Sequence, residues 1–370
     1  NTQKKNVPEL RFPEFEGEWE EKQLGNIIKV NSGKDYKHLD KGDIPVYGTG
    51  GYMTSVSEPL SEIDAVGIGR KGTINKPYLL EAPFWTVDTL FYCTPKKETD
   101  ILFILSLFRK INWKVYDEST GVPSLSKQTI NKINRFVPTN KEQQKIGKFF
   151  SKLDRQIELE EQKLELLQQQ KKGYMQKIFS QELRFKDENG NDYQDWTNER
   201  LGEVTTVTMG QSPKSVNYTD NSNDTVLIQG NADIENGLIN PRIYTREVTK
   251  LIQKDEIILT VRAPVGKLAM AQINACIGRG VCSIKGDKFL YYFLEWFATQ
   301  NKWIRFSQGS TFESISGNDI RNIHIKIPVE DERTKIIKLL NSLDVLNSKT
   351  DLKIQNLKQR KQSLLQKIFV

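Results

Sequence analysis

The chain has 370 residues, of which 37% are hydrophobic and 27% charged, a balance that suits a water-exposed globular protein of two domains with connecting elements. Lys and Arg number 54 against 47 Asp and Glu, a formal charge of +7 that is compatible with a polyanion partner without establishing one. The three cysteines form no C-x-x-C pair, which argues for a reducing cytoplasm and against a disulfide framework or a zinc site; the apolar run 101–108 is too short to span a bilayer, and the opening NTQKKNVPEL predicts no signal peptide.

From the N-terminus, Trp19 and Leu24-Gly25 open a body that reads as mixed α/β. Strand-like runs fall at 44–47, 64–68, 84–87 and 89–93, separated by glycine-rich turns. Gly67-Ile-Gly-Arg-Lys-Gly72 satisfies G-x-G-x-x-G. A dinucleotide site needs a helix to open at once, and Pro77 stands where it would run, so a tight turn between strands is expected. A helix at about 99–112 follows, then the loop YDESTGVPSLS, then a proline-free stretch, 141–178, that predicts a long helix ending QKIF.

The second half repeats this plan. Segment 120–179 overlays 310–369 without a gap: Ser126, Pro138, Glu142, Asp154 and Lys171 meet Ser316, Pro328, Glu332, Asp344 and Lys361, and QKIF closes both. Trp196 and Leu201-Gly202 echo Trp19 and Leu24-Gly25. Strand-like runs at 225–229, 256–261 and 280–284 precede a helix at about 287–304, and the middles of the two halves match poorly. The expected architecture is therefore α/β, with two mixed α/β domains in tandem, 1–140 and 181–330. Long helices at 141–180 and 331–370 separate and follow them.

Those helices carry a coiled-coil seam, with steps alternating between four and three residues. It runs through Leu153, Ile157, Glu160, Leu164, Leu167, Lys171, Tyr174 and Ile178, and again through Leu343, Asn347, Thr350, Ile354, Leu357, Lys361, Leu364 and Ile368. A parallel pair would oppose Lys171 to Lys361, so an antiparallel pair with pseudo-two-fold symmetry is expected. In the register chosen, Leu164 faces Leu357, Leu167 faces Ile354, Ile157 faces Leu364, Ile178 faces Leu343, Glu160 faces Lys361 and Lys171 faces Thr350.

Catalytic patterns are scarce. The histidines, His38 and His324, lie in separate halves, and neither a metal spacing nor an amino-methylation motif is found. Recognition remains. Residue types that read base edges cluster in loops: Lys34, Arg70, Lys71, Asn75, Lys76, Ser119, Thr120, Ser124 and Lys127 in the first body. In the second they are Gln211, Lys214, Gln229, Asn231, Arg262, Lys267, Arg279, Gln308, Ser310 and Thr311.

The W…LG openings, the PVYGTGG turn, and the run from Pro138 through EQQKI into a helix ending QKIF resemble the DNA-specificity subunit of type I restriction-modification systems. The second copy, PVEDERTKI, departs at Arg333-Thr334. The resemblance covers essentially the whole chain. It implies a non-catalytic subunit whose two target-recognition domains each read one half of a split, asymmetric site on double-stranded DNA. The helices would set the spacing and dock two methyltransferase subunits, to which restriction subunits attach. S-adenosylmethionine, ATP and Mg would sit on those partners, with no cofactor on this chain. A single-chain DNA-modifying enzyme and a coiled-coil scaffold unrelated to DNA remain open. Methyl transfer by the isolated chain would mark the first; sequence-selective DNA binding by the complex, lost or redirected on exchange of 205–309, would argue against the second, and an unchanged recognised sequence against the modular arrangement.

Overall fold

The structure is a computed structural model and describes residues 6–303 and 314–370. The chain divides into two compact units, Asn1–Lys163 with Thr350–Val370, and Leu164–Lys349.

In the first unit, β1 (Glu20–Gln23) leads through α1 (Leu24–Ile27) to β2 (Ile28–Ser32), β3 (Ile44–Gly48), β4 (Gly51–Val56), β5 (Ala65–Gly69), β6 (Tyr78–Leu80), β7 (Trp85–Thr86) and β8 (Leu90–Pro95). Then come α2 (Ile101–Lys110), α3 (Lys127–Lys132), β9 (Asn134–Val137) and the 40-residue α4 (Asn140–Phe179), whose residues from Leu164 on belong to the second unit. An antiparallel sheet runs β2-β8-β5-β6, and a smaller one β4-β3-β7 pairs β3 with β7 in parallel. β1 pairs with β9 just before α4. The G-x-G-x-x-G stretch ends β5 and turns toward β6, with Gly72 at φ +87° and no helix after it.

The second unit holds β10 (Thr197–Arg200), α5 (Leu201–Val204), β11 (Val207–Met209), β12 (Tyr218–Thr219), β13 (Thr225–Ile228), the hairpin β14 (Ile234–Glu235) and β15 (Leu238–Ile239), β16 (Tyr244–Thr245), β17 (Leu251–Ile252), β18 (Ile257–Thr260), β19 (Leu268–Met270), β20 (Ala275–Ile277) and β21 (Val281–Ile284). α6 (Lys288–Thr299), α7 (Gly317–Arg321) and β22 (His324–Ile327) follow, and then the 39-residue α8 (Glu330–Ile368), whose residues from Thr350 on belong to the first unit. Although the middles of the halves differ in sequence, their sheets share a plan. β11-β21-β18-β19 is antiparallel like β2-β8-β5-β6, β13 and β20 are parallel like β3 and β7, and β10 pairs with β22 as β1 does with β9. Caps repeat as well. Asp100 and Asp287 cap α2 and α6, and Ser126 and Ser316 cap α3 and α7.

Two glycines explain the LG openings. A Cβ on Gly25 would come 3.0 Å from Asn131 Cβ, and one on Gly202 would come 2.8 Å from Arg321 Cβ. α1 and α5 therefore lie against α3 and α7 closely enough that a side chain would force them apart.

α4 and α8 run antiparallel, and all sixteen seam positions are buried or half-buried while nearly every residue between them is exposed. The register differs from the expected one by about one heptad. Lys361 pairs with Asp154 rather than Glu160, and Glu160 pairs with Lys353. Lys171 meets Asp344 at 2.7 Å and Glu295 at 2.8 Å rather than facing Thr350. The expected apolar pairings shift by the same heptad.

The reason is physical. A slip of seven residues returns the same face of each helix to the seam, so periodicity chooses the face and leaves the register open. The helix ends close that choice. Phe369 packs against Trp19, Phe103 and Phe150 at ring distances of 6.2, 5.5 and 6.2 Å, deep in the first unit. Phe179 packs against Phe289, Phe293 and Trp296 at 5.5, 5.8 and 5.5 Å in the second. Each long helix thus begins against one body and ends in the core of the other unit, which is why QKIF recurs. Withdrawing a buried phenylalanine by one heptad would cost about 3 kcal/mol or more, beyond what a half-exposed ion pair contributes.

Candidate nucleic-acid interface

Each body is joined to its long helix by a buried carboxylate. Glu332, at the third position of α8, is fully buried. It accepts from Arg184 Nε at 2.8 Å, Arg184 Nη2 at 2.9 Å, Trp196 Nε1 at 2.9 Å and Phe185 N at 3.2 Å. Glu142, at the same position of α4, accepts from Arg11 Nε and Nη2, both at 2.8 Å, and from Trp19 Nε1 at 3.3 Å. A carboxylate in a helix's first turn is favoured by the helix dipole, and the bidentate arginine compensates for its burial. The hydrogen bonds to Glu142 raise the Arg11 pKa, as those to Glu332 raise that of Arg184. The internal repeat carries the tryptophans and glutamates without showing that they meet; the arginine of the ELRF echo is the third member that joins them.

The next position shows how the second copy departs from EQQ. Gln143 Oε1 accepts from Asp100 N at 3.0 Å, and Arg333 instead forms an ion pair with Asp287 at 2.7 Å. The long helix meets the same cap of the body helix through different chemistry.

The candidate reading loops gather at strand ends. In the first unit Gly33 N donates to Leu90 O (3.2 Å) and Lys34 N to Thr86 O (2.8 Å). Arg70 N donates to Thr89 O (2.8 Å), Gly72 N to Pro123 O (2.8 Å) and Leu125 N to Arg70 O (2.9 Å), and Lys71 bridges to Ser124. This backbone net holds the ends of β2 and β5, the turn before β8 and the loop 117–124 together, and brings Lys34, Arg70, Lys71, Ser119, Thr120 and Ser124 to one edge. Lys34, Arg70, Lys71 and Thr120 are exposed. The Arg70 guanidinium lies 5.9 Å from the Phe91 ring centre. Asp117 folds the loop, accepting from Ser119 N at 3.0 Å, Ser119 Oγ at 2.9 Å and Ser124 N at 2.9 Å, and these bonds hold its carboxyl below the ordinary range. The Ser119 hydroxyl is thereby engaged within the loop. Lys127 is exposed at the start of α3. Asn75 and Lys76 lie elsewhere, lining a groove of about 480 Å³ beside Asp154 and Lys361.

The second unit repeats the edge with other side chains. Gly210 N donates to Val281 O (3.0 Å), Gln211 N to Ile277 O (2.9 Å), Gly278 N to Ile228 O (2.7 Å) and Ile315 N to Val261 O (3.0 Å). Arg262 bridges to Ser314 as Lys71 does to Ser124. Gln211, Gln229, Arg262 and Arg279 share this edge, and Asn231 follows the end of β13. Lys267 is committed internally, donating to Asn231 O at 3.1 Å and Ile234 O at 2.6 Å. Lys214 is exposed in the loop after β11, its N–H bonded to Glu247 at 3.0 Å. Gln308, Ser310 and Thr311 lie outside the described residues.

His38 packs on Trp85 in the first unit, and His324 lies 3.4 Å from Asn198 in the second. The three cysteines are buried; burial pushes the Cys93 thiol up and that of Cys282 up to about 12, so neither is a poised thiolate. Among the described residues no group of His, Cys, Asp or Glu is arranged to hold a metal, and no helix is long and apolar enough to cross a membrane.

The family model for the type I restriction modification DNA specificity domain matches residues 16–169 and again 193–359. The chain is 30% identical over 261 residues to the putative type I restriction enzyme MjaX specificity subunit of Methanocaldococcus jannaschii, covering 66% of this chain and 61% of that protein's length. To the MjaVIII specificity subunit of the same organism it is 26% identical over 312 residues, 77% and 71% of the two lengths. In fold it is similar to the S subunit of a type I restriction-modification system from M. genitalium, with TM-score 0.69 at 16% identity over 98% of this chain and 99% of that one. A chain from a structure of the type I R-M system's complex assembly and conformational transition gives TM-score 0.59 at 18% identity over 95% and 97%. With the model matching twice, once in each half and over most of its length, this chain belongs to the type I restriction modification DNA specificity family.

Proposed function

We propose that the chain is the non-catalytic sequence-specificity subunit of a type I restriction-modification complex, acting in the cytoplasm. The bodies, 1–140 and 181–330, each read one half of a bipartite, asymmetric site on double-stranded DNA, and the helices 141–180 and 331–370 set the gap. The observation that carries this reading is the contrast between joints and edges. The buried Glu–Arg–Trp joints are chemically the same in both units, as two identical partners require. The strand-end edges share a backbone plan but present Lys34, Arg70 and Lys71 in one unit and Gln211, Gln229, Arg262 and Arg279 in the other, as two unlike half-sites require.

Two methyltransferase subunits dock at the joints and helices, carrying S-adenosylmethionine and flipping out the target adenine. Restriction subunits with ATP and Mg join that core. The test is exchange of residues 205–309 for the same segment of a relative, in the assembled methyltransferase. The half-site read by the second body should change and the first should not. An unchanged recognition sequence would refute the modular reading.

A further inference from the structure

The hairpin formed by β3 and β4 carries two neighbouring large apolar side chains in water, Tyr52 at 64% exposure and Met53 at 52%. Single exposed apolar residues are ordinary on protein surfaces. This pair differs in its location. A Cβ placed on Gly48 would come 2.7 Å from Met53 Sδ and 3.5 Å from Val87 Cγ2, so Met53 lies over the start of the turn that leads into β8. That turn is the one whose carbonyls hold Lys34, Arg70 and Lys71: Lys34 N bonds Thr86 O, and the N–H groups of Arg70 and Lys71 bond Thr89 O. Tyr52 stands on the opposite face of the strand, its ring 6.4 Å from Tyr47, which is 6.2 Å from Tyr78. Tyr78 Oη donates to Gly48 O at 2.6 Å and braces the hairpin from behind. The result is a supported apolar tip beside three exposed cations. Asp88 is exposed in the same turn and offsets part of their charge, so the apolar pair, more than net charge, sets this edge apart.

We infer that Met53 and Tyr52 form a stacking wedge of the first body, pressing against or between bases of its half-site while Lys34, Arg70 and Lys71 hold the backbone. Methionine is among the residues that part base steps, tyrosine stacks on bases, and cations beside them supply the phosphate contacts that position such a tip. The second body makes no such wedge at the matching point. β13 ends there in Gly230 and Asn231–Asp233, folded inward by Asp233, which accepts from Gln229 N at 2.8 Å and Gly230 N at 3.2 Å. The two half-sites are then read by different physics, deformability in one and hydrogen-bonded edges in the other. This inference rests on the DNA-reading function proposed above.

The test uses the complete methyltransferase complex and its recognition duplex, with 2-aminopurine placed in turn at each step of the first half-site. Wild type should raise the fluorescence of one step on binding, a step other than the target adenine, which the methyltransferase flips out in wild type and variants alike. Met53→Ser with Tyr52→Ser should abolish that rise and weaken binding about tenfold at every salt concentration, leaving the salt slope unchanged. Lys71→Ala should instead lower the slope by about one. Met53→Leu, which keeps the apolar volume, should bind as wild type and guards against a folding artefact. Unchanged affinity and fluorescence in the double variant would overturn the wedge, as would a reduced salt slope. Loss of methyltransferase assembly with DNA contacts intact would reassign the tip to a protein contact, which also overturns it. Absence of sequence-selective binding by wild type would instead sink the DNA-reading function itself.

Discussion

Replacing Glu332 by Gln tests how the bodies are fastened to the helices. The wild-type carboxylate is fully buried and meets three side-chain N–H donors and the Phe185 amide. A glutamine keeps one acceptor oxygen and turns an NH2 toward donors that cannot accept it. The Arg184 guanidinium then stays in place, 22% exposed, with only the exposed Asp195 carboxylate at 3.8 Å in place of its buried bidentate partner. Breaking a buried pair from one side costs about 3–5 kcal/mol, and the partial exposure of Arg184 places the expectation near about 3 kcal/mol. Removing both partners, Glu332→Leu with Arg184→Leu, should cost less than the sum of the two single changes, because neither leaves an uncompensated charge. Urea unfolding followed by circular dichroism reads both quantities. Glu142→Gln should cost somewhat less than Glu332→Gln, since the Trp19 bond to Glu142 is longer, 3.3 Å against 2.9 Å, than that of Trp196 to Glu332. A loss below about 1 kcal/mol for Glu332→Gln, or strict additivity in the double variant, would refute the clamp as a buried charge pair.

Phe369→Ala should destabilise by about 3–5 kcal/mol through the first unit's core, seen by hydrogen exchange as faster opening around Trp19 and Phe103 with the second unit spared. Gly202→Val should force α5 from α7, since even a Cβ would stand 2.8 Å from Arg321 Cβ; loss of exchange protection at Leu201 N, which donates to Ile323 O, reports it. The Asp117 carboxyl is held below its ordinary value of 3.8 by the Ser124 and Ser119 amides. A depressed acid contributes stability that is present above the unfolded pKa and is lost as pH falls through the folded one. Protection of the Ser119 and Ser124 amides should therefore persist as pH drops through 3.8 and vanish only below it, whereas Asp117→Asn should weaken it already at neutral pH.

How far the fold could be read in advance depended on what each feature needs. The seam was legible because a helix with apolar residues at alternating steps of four and three has one way to bury them. Its register was not, because a heptad slip is invisible to the pattern, and the deciding contacts of Phe179 and Phe369 lie in cores assembled from distant segments. The shared sheet plan of the bodies escaped sequence comparison for a related reason. β5 and β18 need only to be buried throughout, which Ala-Val-Gly-Ile-Gly and Ile-Ile-Leu-Thr satisfy equally. The candidate reading edge was half legible. Lys34, Arg70, Lys71 and Ser124 sit together through backbone bonds that no side-chain motif encodes. Residue type alone could not show that Lys267 caps carbonyls within its own unit or that Asn75 and Lys76 lie beside the helices. The meaning of Tyr52 and Met53 comes from their exposure, which residue type does not encode.

The account turns on two unlike readers fastened by like joints to a common pair of helices. Sequencing of modified bases in the DNA of cells expressing the intact system, against cells in which this chain is deleted, tests it most directly. Methyladenine should appear at a motif of two unrelated half-sites separated by an unread gap of constant length, and should vanish with the deletion. A continuous motif, a palindromic one, a variable gap, or methylation that survives loss of the chain would contradict it.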